Sequence, residues 1–311
     1  SYGFRPGRSA HQALDALWRG LMAMGGGWII DLDIQSFFDD VDWGHLRSFL
    51  DRRVCDGVIR RAIGKWLNAG VMESGEVSHP DRGTPQGGVI SPVLSNLYLH
   101  EVLDVWFEHE VKPRLLGRAF EIRFADDAAL VFEREEDARR VLAVLSKRFA
   151  KYGLHLHPEK TRLVDFRSPP RAGWGGSQRE RSFGLLGFTH YWGRSRKGRW
   201  VVQRKTAKDR FTRALREVGR WCRAHRHWPV AAQQAALHRK LKGHYAYYGI
   251  TGNGRALACF LYEVRRLWRK WLHRRSWRGR MTWEKFGRLV ARYPLPQPRV
   301  VHSIYRRAAT L

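Results

Sequence analysis

Between Ser9 and Met24 apolar positions recur every three or four residues: Ala13, Leu14, Leu17 and Leu21 share one face, and Ser9 stands where an N-cap belongs. The spacing predicts a helix over 9–24, ended by Gly25-Gly26-Gly27. The period then drops to two. Trp28, Ile30, Leu32 and Ile34 face one way and Ile29, Asp31 and Asp33 the other, which predicts a strand. Two acids on one face of an apolar strand are costly if buried unpaired, so that face must meet water or a cation. Helical spacing returns over 56–69, with Val58, Ile59, Ala62, Ile63, Trp66 and Leu67 as its stripe. Residues 74–82 read as a short hairpin or loop. A glycine-rich turn at 83–88 then leads into a helix starting near Ser91-Pro92, with proline at its first position.

Phe120, Ile122 and Phe124 alternate, as do Leu130 and Phe132, with Ala125-Asp126-Asp127 between them: two strands joined by an acidic tight turn. Residues 135–151 form an amphipathic helix whose acidic first turn suits the helix dipole and which Gly153 stops. Strands are expected around 154–166 and 183–203, the latter turning at Arg196-Lys197-Gly198. From about 205 the pattern is helical. Phe211, Leu215, Val218 and Cys222 make one stripe. Leu257, Phe260, Leu261, Val264, Leu267, Trp268, Trp271 and Leu272 make another, with Arg265, Arg266, Arg269 and Lys270 on its far side. The expectation is a mixed α/β body over 1–200 and a helical domain over 201–311.

Charge sharpens that division. Lys and Arg number 57 against 29 Asp and Glu, a net of +28. Residues 201–311 hold 27 of the basic side chains and only 4 of the acidic ones, so the field is concentrated there and a polyanion is its natural partner. Fourteen tryptophans add stacking surface for bases, although many must serve the core. The three cysteines show no paired or metal-type spacing and read as reduced core residues. No run approaches the roughly 20 apolar residues of a membrane span, and residues 1–28 lack a signal-peptide core. The expected setting is cytoplasmic, without a membrane partner.

The candidate chemistry lies in Asp33, at a strand end, and in Asp126 and Asp127, on the hairpin turn. If the three converge they repel unless divalent cations neutralise them. Mg²⁺ takes oxygen ligands, and two such ions roughly 3.5–4 Å apart can activate an attacking hydroxyl and stabilise a leaving pyrophosphate. An Asp-Asp pair on its own is ordinary turn chemistry.

The neighbouring residues decide between these. Ile-Arg-Phe-Ala-Asp-Asp at 122–127 resembles the signature box of reverse transcriptases, Asp-Ile-Gln-Ser-Phe-Phe-Asp at 33–39 their first catalytic motif, and the thirteen residues from Thr84 to Asn96 their nucleotide-pocket motif. Residues 2–9, 153–161 and 183–188 resemble further blocks in the family's order. Tyr-Tyr-Gly-Ile-Thr-Gly-Asn at 247–253, followed by residues 267–276, resembles the maturase region of bacterial group II intron proteins.

The resemblance implies an α+β fold: a reverse-transcriptase right hand, with partial fingers and an antiparallel palm over 1–200, then a basic α-helical thumb and maturase region over 201–311. It makes Asp33, Asp126 and Asp127 the catalytic carboxylates of a two-Mg²⁺ site, with the Ile34 carbonyl as a further ligand and Asp31 as the alternative to Asp33. Phe38 resembles the gate against the sugar 2′ position, or is a core residue. Gln86 resembles the nucleotide-pocket glutamine, and Lys160 the cation near the triphosphate, or a surface lysine. Gly184, Leu185, Leu186 and Gly187 would form the primer grip, while Arg5, Arg8, Arg265, Arg266, Arg269 and Lys270 would contact RNA. The implied partners are group II intron RNA, an RNA template with a DNA primer, dNTPs and a DNA target, in a bacterial cytoplasm with nucleoid association during mobility.

The match departs from the family at two points. Phe124 begins the box where Tyr is commoner, and the sequence opens at the block containing Tyr2-Gly3-Phe4. For the family's preceding blocks, which help clamp the triphosphate, the expectation is a longer protein of which this is a fragment, another source of that role, or impaired polymerisation. No His-rich nuclease motif is present near the carboxyl end, so no DNA endonuclease is expected. Three readings follow: an RNA-directed DNA polymerase that also assists splicing, an RNA-binding splicing cofactor with an impaired polymerase site, and a reverse transcriptase recruited elsewhere, which the maturase-like segment opposes.

Overall fold

Helix α1 (Ala10–Met24) starts where its cap predicts. The Ser9 hydroxyl accepts from the Gln12 amide at 3.2 Å, and the Gln12 side chain accepts in return from the Ser9 amide at 3.0 Å. It stops at Gly25, left-handed at φ 68°. The next residue must also be glycine, because a Cβ on Gly26 would fall 2.2 Å from the Phe166 carbonyl. The structure, a computed structural model, describes residues 1–68, 71–73, 76–78, 82–84, 88–168, 181–276 and 280–303, with only the backbone at 71–73 and 76–78.

After α1 come β1 (Trp28–Leu32), β2 (Ile34–Gln35), α2 (Trp43–Asp51), α3 (Gly57–Leu67), and the paired strands β3 (Val71–Glu73) and β4 (Glu76–Ser78). Helix α4 (Ser91–Leu99) continues through wide π-helical turns at His100–Asp104 and Phe107–Val111. The Arg148 guanidinium donates to the carbonyls of Val102 at 3.0 Å and Glu101 at 3.3 Å, two acceptors in the widened stretch. Then follow β5 (Ala119–Phe124), β6 (Asp127–Phe132), α5 (Glu135–Ala150), β7 (His155–Leu156), β8 (Arg162–Asp165), β9 (Phe183–Leu185), β10 (Phe188–Arg194) and β11 (Trp200–Thr206). Four helices complete the described chain: α6 (Lys208–Ala224), α7 (Val230–Tyr248), α8 (Gly254–His273) and α9 (Trp283–Arg292).

Contacts divide the chain into two compact units. One comprises Ser1–Leu186 with Tyr191–Val202, the other Gly187–His190 with Gln203–Leu311. The first is built on an antiparallel sheet of order β5-β6-β1-β8. Ile30 and Leu32 of β1 lie with Leu130 and Phe132 of β6 in a core that takes in Leu145 and Phe149 of α5, Tyr98 and Phe107. Strand alternation sends Ile29 and Val131, equally buried, to the opposite face. In the second unit Val218, Leu237, Leu241, Phe260, Val264 and Trp268 form the core of α6, α7 and α8. The buried Trp268 indole donates to Gln233 at 2.9 Å.

The α+β expectation holds, and several local expectations shift. The strand read as 28–34 ends at Leu32. The stretch 154–166 is two short strands around a turn, and the pairing placed at 74–82 joins 71–73 to 76–78. On α3 only Ile63 and Leu67 are buried, while Val58, Ile59 and Trp66 face solvent. Among the described residues no helix is long and apolar enough to cross a membrane.

Candidate active site

The two acidic motifs meet through strand register. Leu32 of β1 pairs with Ala128 of β6, so the chain ends that carry Asp33 and Asp127 next to these two residues leave the ladder together. On the other side of β6, Phe124 pairs with Asp127, leaving Ala125 and Asp126 as a two-residue loop. Ala125 adopts φ 56°, a left-handed conformation costing a side-chain-bearing residue roughly 1–2 kcal/mol. The amino-terminal segment lies directly on this loop. The Tyr2 amide donates to the Arg123 carbonyl at 2.8 Å, and a Cβ on Gly3 would fall 2.4 Å from the Ala125 nitrogen. Asp126 and Asp127 are exposed and Asp33 is half-buried.

Asp33 is pinned by its main chain. Its carbonyl accepts from the His157 amide at 2.9 Å and the Thr161 hydroxyl at 3.1 Å, while its amide donates to the Thr161 oxygen at 3.3 Å. The block at 157–161 is thus laid against the first acidic motif, and Lys160 Nζ lies 3.6 Å from Asp33 Oδ1. Ile34 opens β2, with Leu156 as its ladder partner. Asp31 points into a different environment. It faces Arg162 at 3.5 Å and accepts from the Gly184 amide. Burial pushes its carboxyl up to about 6, and the charge of Asp127 adds to that against the opposing pull of Arg162.

Phe38 is half-buried against Phe37, and its carbonyl accepts from the Thr84 amide at 2.6 Å. Gly83 lies so close to the Phe38 and Asp39 carbonyls that a Cβ would sit within 2.9 Å of both. The first residues of the glycine-rich motif are therefore tied to the first acidic motif; Gln86 itself lies outside the described residues. Gly184 and Leu185 end β9, and Leu186 and Gly187, at φ 52° and 75°, make the two-residue turn into β10. The Gly187 carbonyl accepts from the Ala207 amide at 2.9 Å.

Arg5 and Arg8 are exposed, with Arg8 5.6 Å from the Tyr2 ring centre. On α8, Arg266 and Lys270 are exposed, and Arg266 pairs with Glu263 at 3.0 Å. Arg265 and Arg269, expected on the solvent face, are half-buried. Arg269 stacks 4.0 Å from the Trp283 ring and donates to the Met281 carbonyl. Sequence reasoning missed Thr161 and Arg162, which hold Asp33 and Asp31; Thr161 is the last residue of a block already singled out.

A hard divalent cation fits the chemistry of this donor set, which is all oxygen and half-exposed. Among the described residues no three His, Cys, Asp or Glu side chains are gathered tightly enough to hold a metal ion. What the sheet brings side by side is the end of β1 at Leu32, just before Asp33, and the start of β6 at Asp127 and Ala128, with Asp126 on the turn.

The sequence model of the family described as reverse transcriptase (RNA-dependent DNA polymerase) matches residues 1–190. The group II intron-encoded protein LtrA of Lactococcus lactis subsp. cremoris is 34% identical over 159 residues, 48% of this chain and 26% of LtrA. An uncharacterized 91 kDa protein in the cob intron of Schizosaccharomyces pombe is 38% identical over 109 residues, 35% of this chain and 13% of that protein. The protein YkfC of Escherichia coli is 40% identical over 104 residues, 32% of this chain and 27% of YkfC. The matched segment thus spans about a quarter of LtrA and YkfC and less of the yeast protein.

Proposed function

Since this chain belongs to the reverse transcriptase (RNA-dependent DNA polymerase) family, we propose that it extends a DNA primer on an RNA template at Asp33, Asp126 and Asp127, and that its basic helical part binds group II intron RNA to assist splicing and mobility into a DNA target. The observation that supports the reading is the β1–β6 pairing that ends at Leu32 and Ala128, beside the two acidic motifs, with Lys160 against Asp33.

Two Mg²⁺ ions, held by the three aspartates and the Ile34 carbonyl, would supply the acidified primer 3′-hydroxyl and the charge that stabilises the leaving pyrophosphate. The chain's own groups do the rest. Lys160, 60% exposed, neutralises Asp33 and can turn toward a triphosphate, where an ammonium group stabilises or protonates the departing phosphate. Phe38, whose carbonyl is held by Thr84, would screen the dNTP sugar, Gln86 would by its motif contact the nucleotide, and the turn at 184–187 would support the primer strand. In the helical part, Arg266 beside Tyr262, Arg269 on Trp283 and Lys270 beside Trp271 offer charge and ring faces to phosphates and unstacked bases.

One observation favours a second reading, a splicing cofactor with an impaired polymerase site: no triad of acids is drawn together among the described residues. Primer extension on an RNA template with Mg²⁺ and dNTPs, beside Asp126→Ala, separates the two. Polymerase activity predicts extension by the wild type alone. Equal background from both proteins, with high-affinity binding of intron RNA retained, would sink the polymerase reading and leave the cofactor.

A further inference from the structure

The strand residue three places before Asp126 is an arginine with almost no contact with solvent. The Arg123 side chain is 1% exposed. Its Nε and Nη2 lie 2.5 and 2.6 Å from the two oxygens of Asp104, a bidentate pair. Nη1 makes two further bonds, to Asn96 Oδ1 at 2.9 Å and to the Ala125 carbonyl at 2.9 Å. A guanidinium taken out of water costs several kcal/mol and usually has a reason to be where it is.

Charge balance is part of that reason. Asp104 also meets His100 Nδ1 at 3.1 Å. Although burial pulls the other way, hydrogen bonds from His100 and Arg123 and the guanidinium charge hold its carboxyl below the usual range. Glu121, buried 3.8 Å from Arg123, goes the opposite way: burial and the negative charge of Asp104 push its carboxyl well above the usual range. The cluster therefore sets Arg123 against Asp104, its bidentate partner. That balance needs only the Asp104 fork, so it does not account for the Nη1 bonds, which run to the carboxylate turn and to the residue that braces it. Asn96 Nδ2 in turn donates to the Gly3 carbonyl at 3.1 Å, and Gly3 is the residue lying on Ala125.

Asp126 and Asp127 project from a loop whose first residue is strained and whose carboxylates repel each other and Asp33. We propose that Arg123 is a positioning residue for nucleotidyl transfer: by gripping the Ala125 carbonyl it fixes the backbone from which Asp126 and Asp127 project, and Asp104 and Asn96 hold it to that task. The inference rests on the polymerase reading, and its test separates the two.

The full-length chain is compared with Arg123→Met, with Arg123→Lys and with the double variant Asp104→Asn/Arg123→Met. The first strands a buried carboxylate and reports on folding. The double variant removes both charges and so spares the fold while deleting the grip. Arg123→Lys keeps the charge but cannot reach the same set of acceptors. Three quantities are read: thermal melting, Mn²⁺ affinity by electron paramagnetic resonance, and kcat and KM for dTTP on a poly(rA) template with an oligo(dT) primer.

The double variant should melt near the wild type, while its Mn²⁺ affinity and kcat fall by on the order of tenfold to a hundredfold and KM for dTTP stays within about twofold. Arg123→Lys should recover part of each loss. A double variant with wild-type melting, Mn²⁺ affinity and kcat overturns the proposal. If it fails to fold, Arg123→Lys decides: wild-type Mn²⁺ affinity and kcat in that variant overturn the grip, and a loss of both with the fold intact supports it. A wild type that extends no primer defeats the polymerase reading, and the Mn²⁺ arm then decides the positioning role alone: weaker binding in the double variant supports it, and equal or absent binding in both proteins overturns it.

Discussion

Asn253 closes the Tyr-Tyr-Gly-Ile-Thr-Gly-Asn segment, and its surroundings allow the cost of replacing it to be worked out. It precedes α8 at the cap position, yet its side chain makes no capping bond. It is 1% exposed and turned inward instead. Oδ1 accepts from the Thr206 amide at 2.9 Å, and Nδ2 donates to the Thr206 hydroxyl at 2.9 Å and to the Tyr248 carbonyl at 2.8 Å. One amide thereby ties the end of β11 to the end of α7. Asn253→Ala strands the buried Thr206 amide, while the Tyr248 carbonyl keeps the Ile250 amide at 2.9 Å and the hydroxyl can rotate to another partner. At about 1–3 kcal/mol for a stranded buried group, the loss is a substantial part of a typical domain's stability.

Asn253→Asp should behave differently. One oxygen still serves Thr206, but the other confronts the Tyr248 carbonyl, so the buried acid prefers to be protonated. Its folded-state pKa is then raised above the unfolded value, so the variant keeps its stability below the unfolded pKa and loses it as pH rises through the folded one. Guanidinium unfolding of the full chain, followed by hydrogen exchange in peptides from α7 and α8, reads both effects between pH 5 and 8. An Asn253→Ala variant within about 0.5 kcal/mol of the wild type would refute the hydrogen-bond argument. Equal stability of Asn253→Asp relative to wild type across that pH range would refute the carboxyl argument.

Three shorter predictions follow from the same geometry. Gly3→Ala drives a Cβ into the Ala125 backbone, so primer extension should fall severalfold with melting little changed; unchanged extension would show that the turn does not depend on this packing. His244 stacks 3.8 Å from Phe260, and burial pulls its pKa down to about 4. Its neutral form is the folded one, so its contribution is whole above the ordinary histidine value of about 6.5 and is lost as pH falls from there toward 4. Melting curves at pH 5 and 7.5 should converge in His244→Phe relative to the wild type. Last, RNA affinity should drop steeply between about 50 and 200 mM salt; a flat response in filter binding would contradict a phosphate-dominated interface.

What was legible in the sequence is what local periodicity encodes. Helix α1 with its Ser9–Gln12 cap, the β5–β6 hairpin, α5 and the apolar stripe of α8 all appear where their spacing puts them. The pairing of β1 with β6, which brings the two acidic motifs to one end of the sheet, was not legible from pattern, because it joins distant strands; only the resemblance of their motifs linked them. Arg123 escaped for a related reason. In Phe-Glu-Ile-Arg-Phe the alternation sends Glu121 and Arg123 to the polar face, and that face turned out to be roofed by Asp104 and Asn96. The α3 stripe was over-read, since helical spacing shows where apolar residues align and not whether a neighbour covers them. Asn253 was singled out through its motif, but its work became visible only with its three partners.

The widened turns between His100 and Val111 set a rule for the length of this stretch. Each π-helical turn holds one residue more than an α-helical turn of the same reach. Losing Val105 or Trp106 would swing everything after it by roughly 100° about the helix axis. Asp104 would keep its place opposite Arg123 while Phe107, wholly buried against Phe132, rotated out of the core. Loss of His100 would instead carry Asp104 away from the arginine and withdraw the Glu101 and Val102 carbonyls from Arg148. Related chains that fold in this way should therefore vary in the loops on either side of 100–111 and keep its residue count unchanged, as a gear keeps its number of teeth.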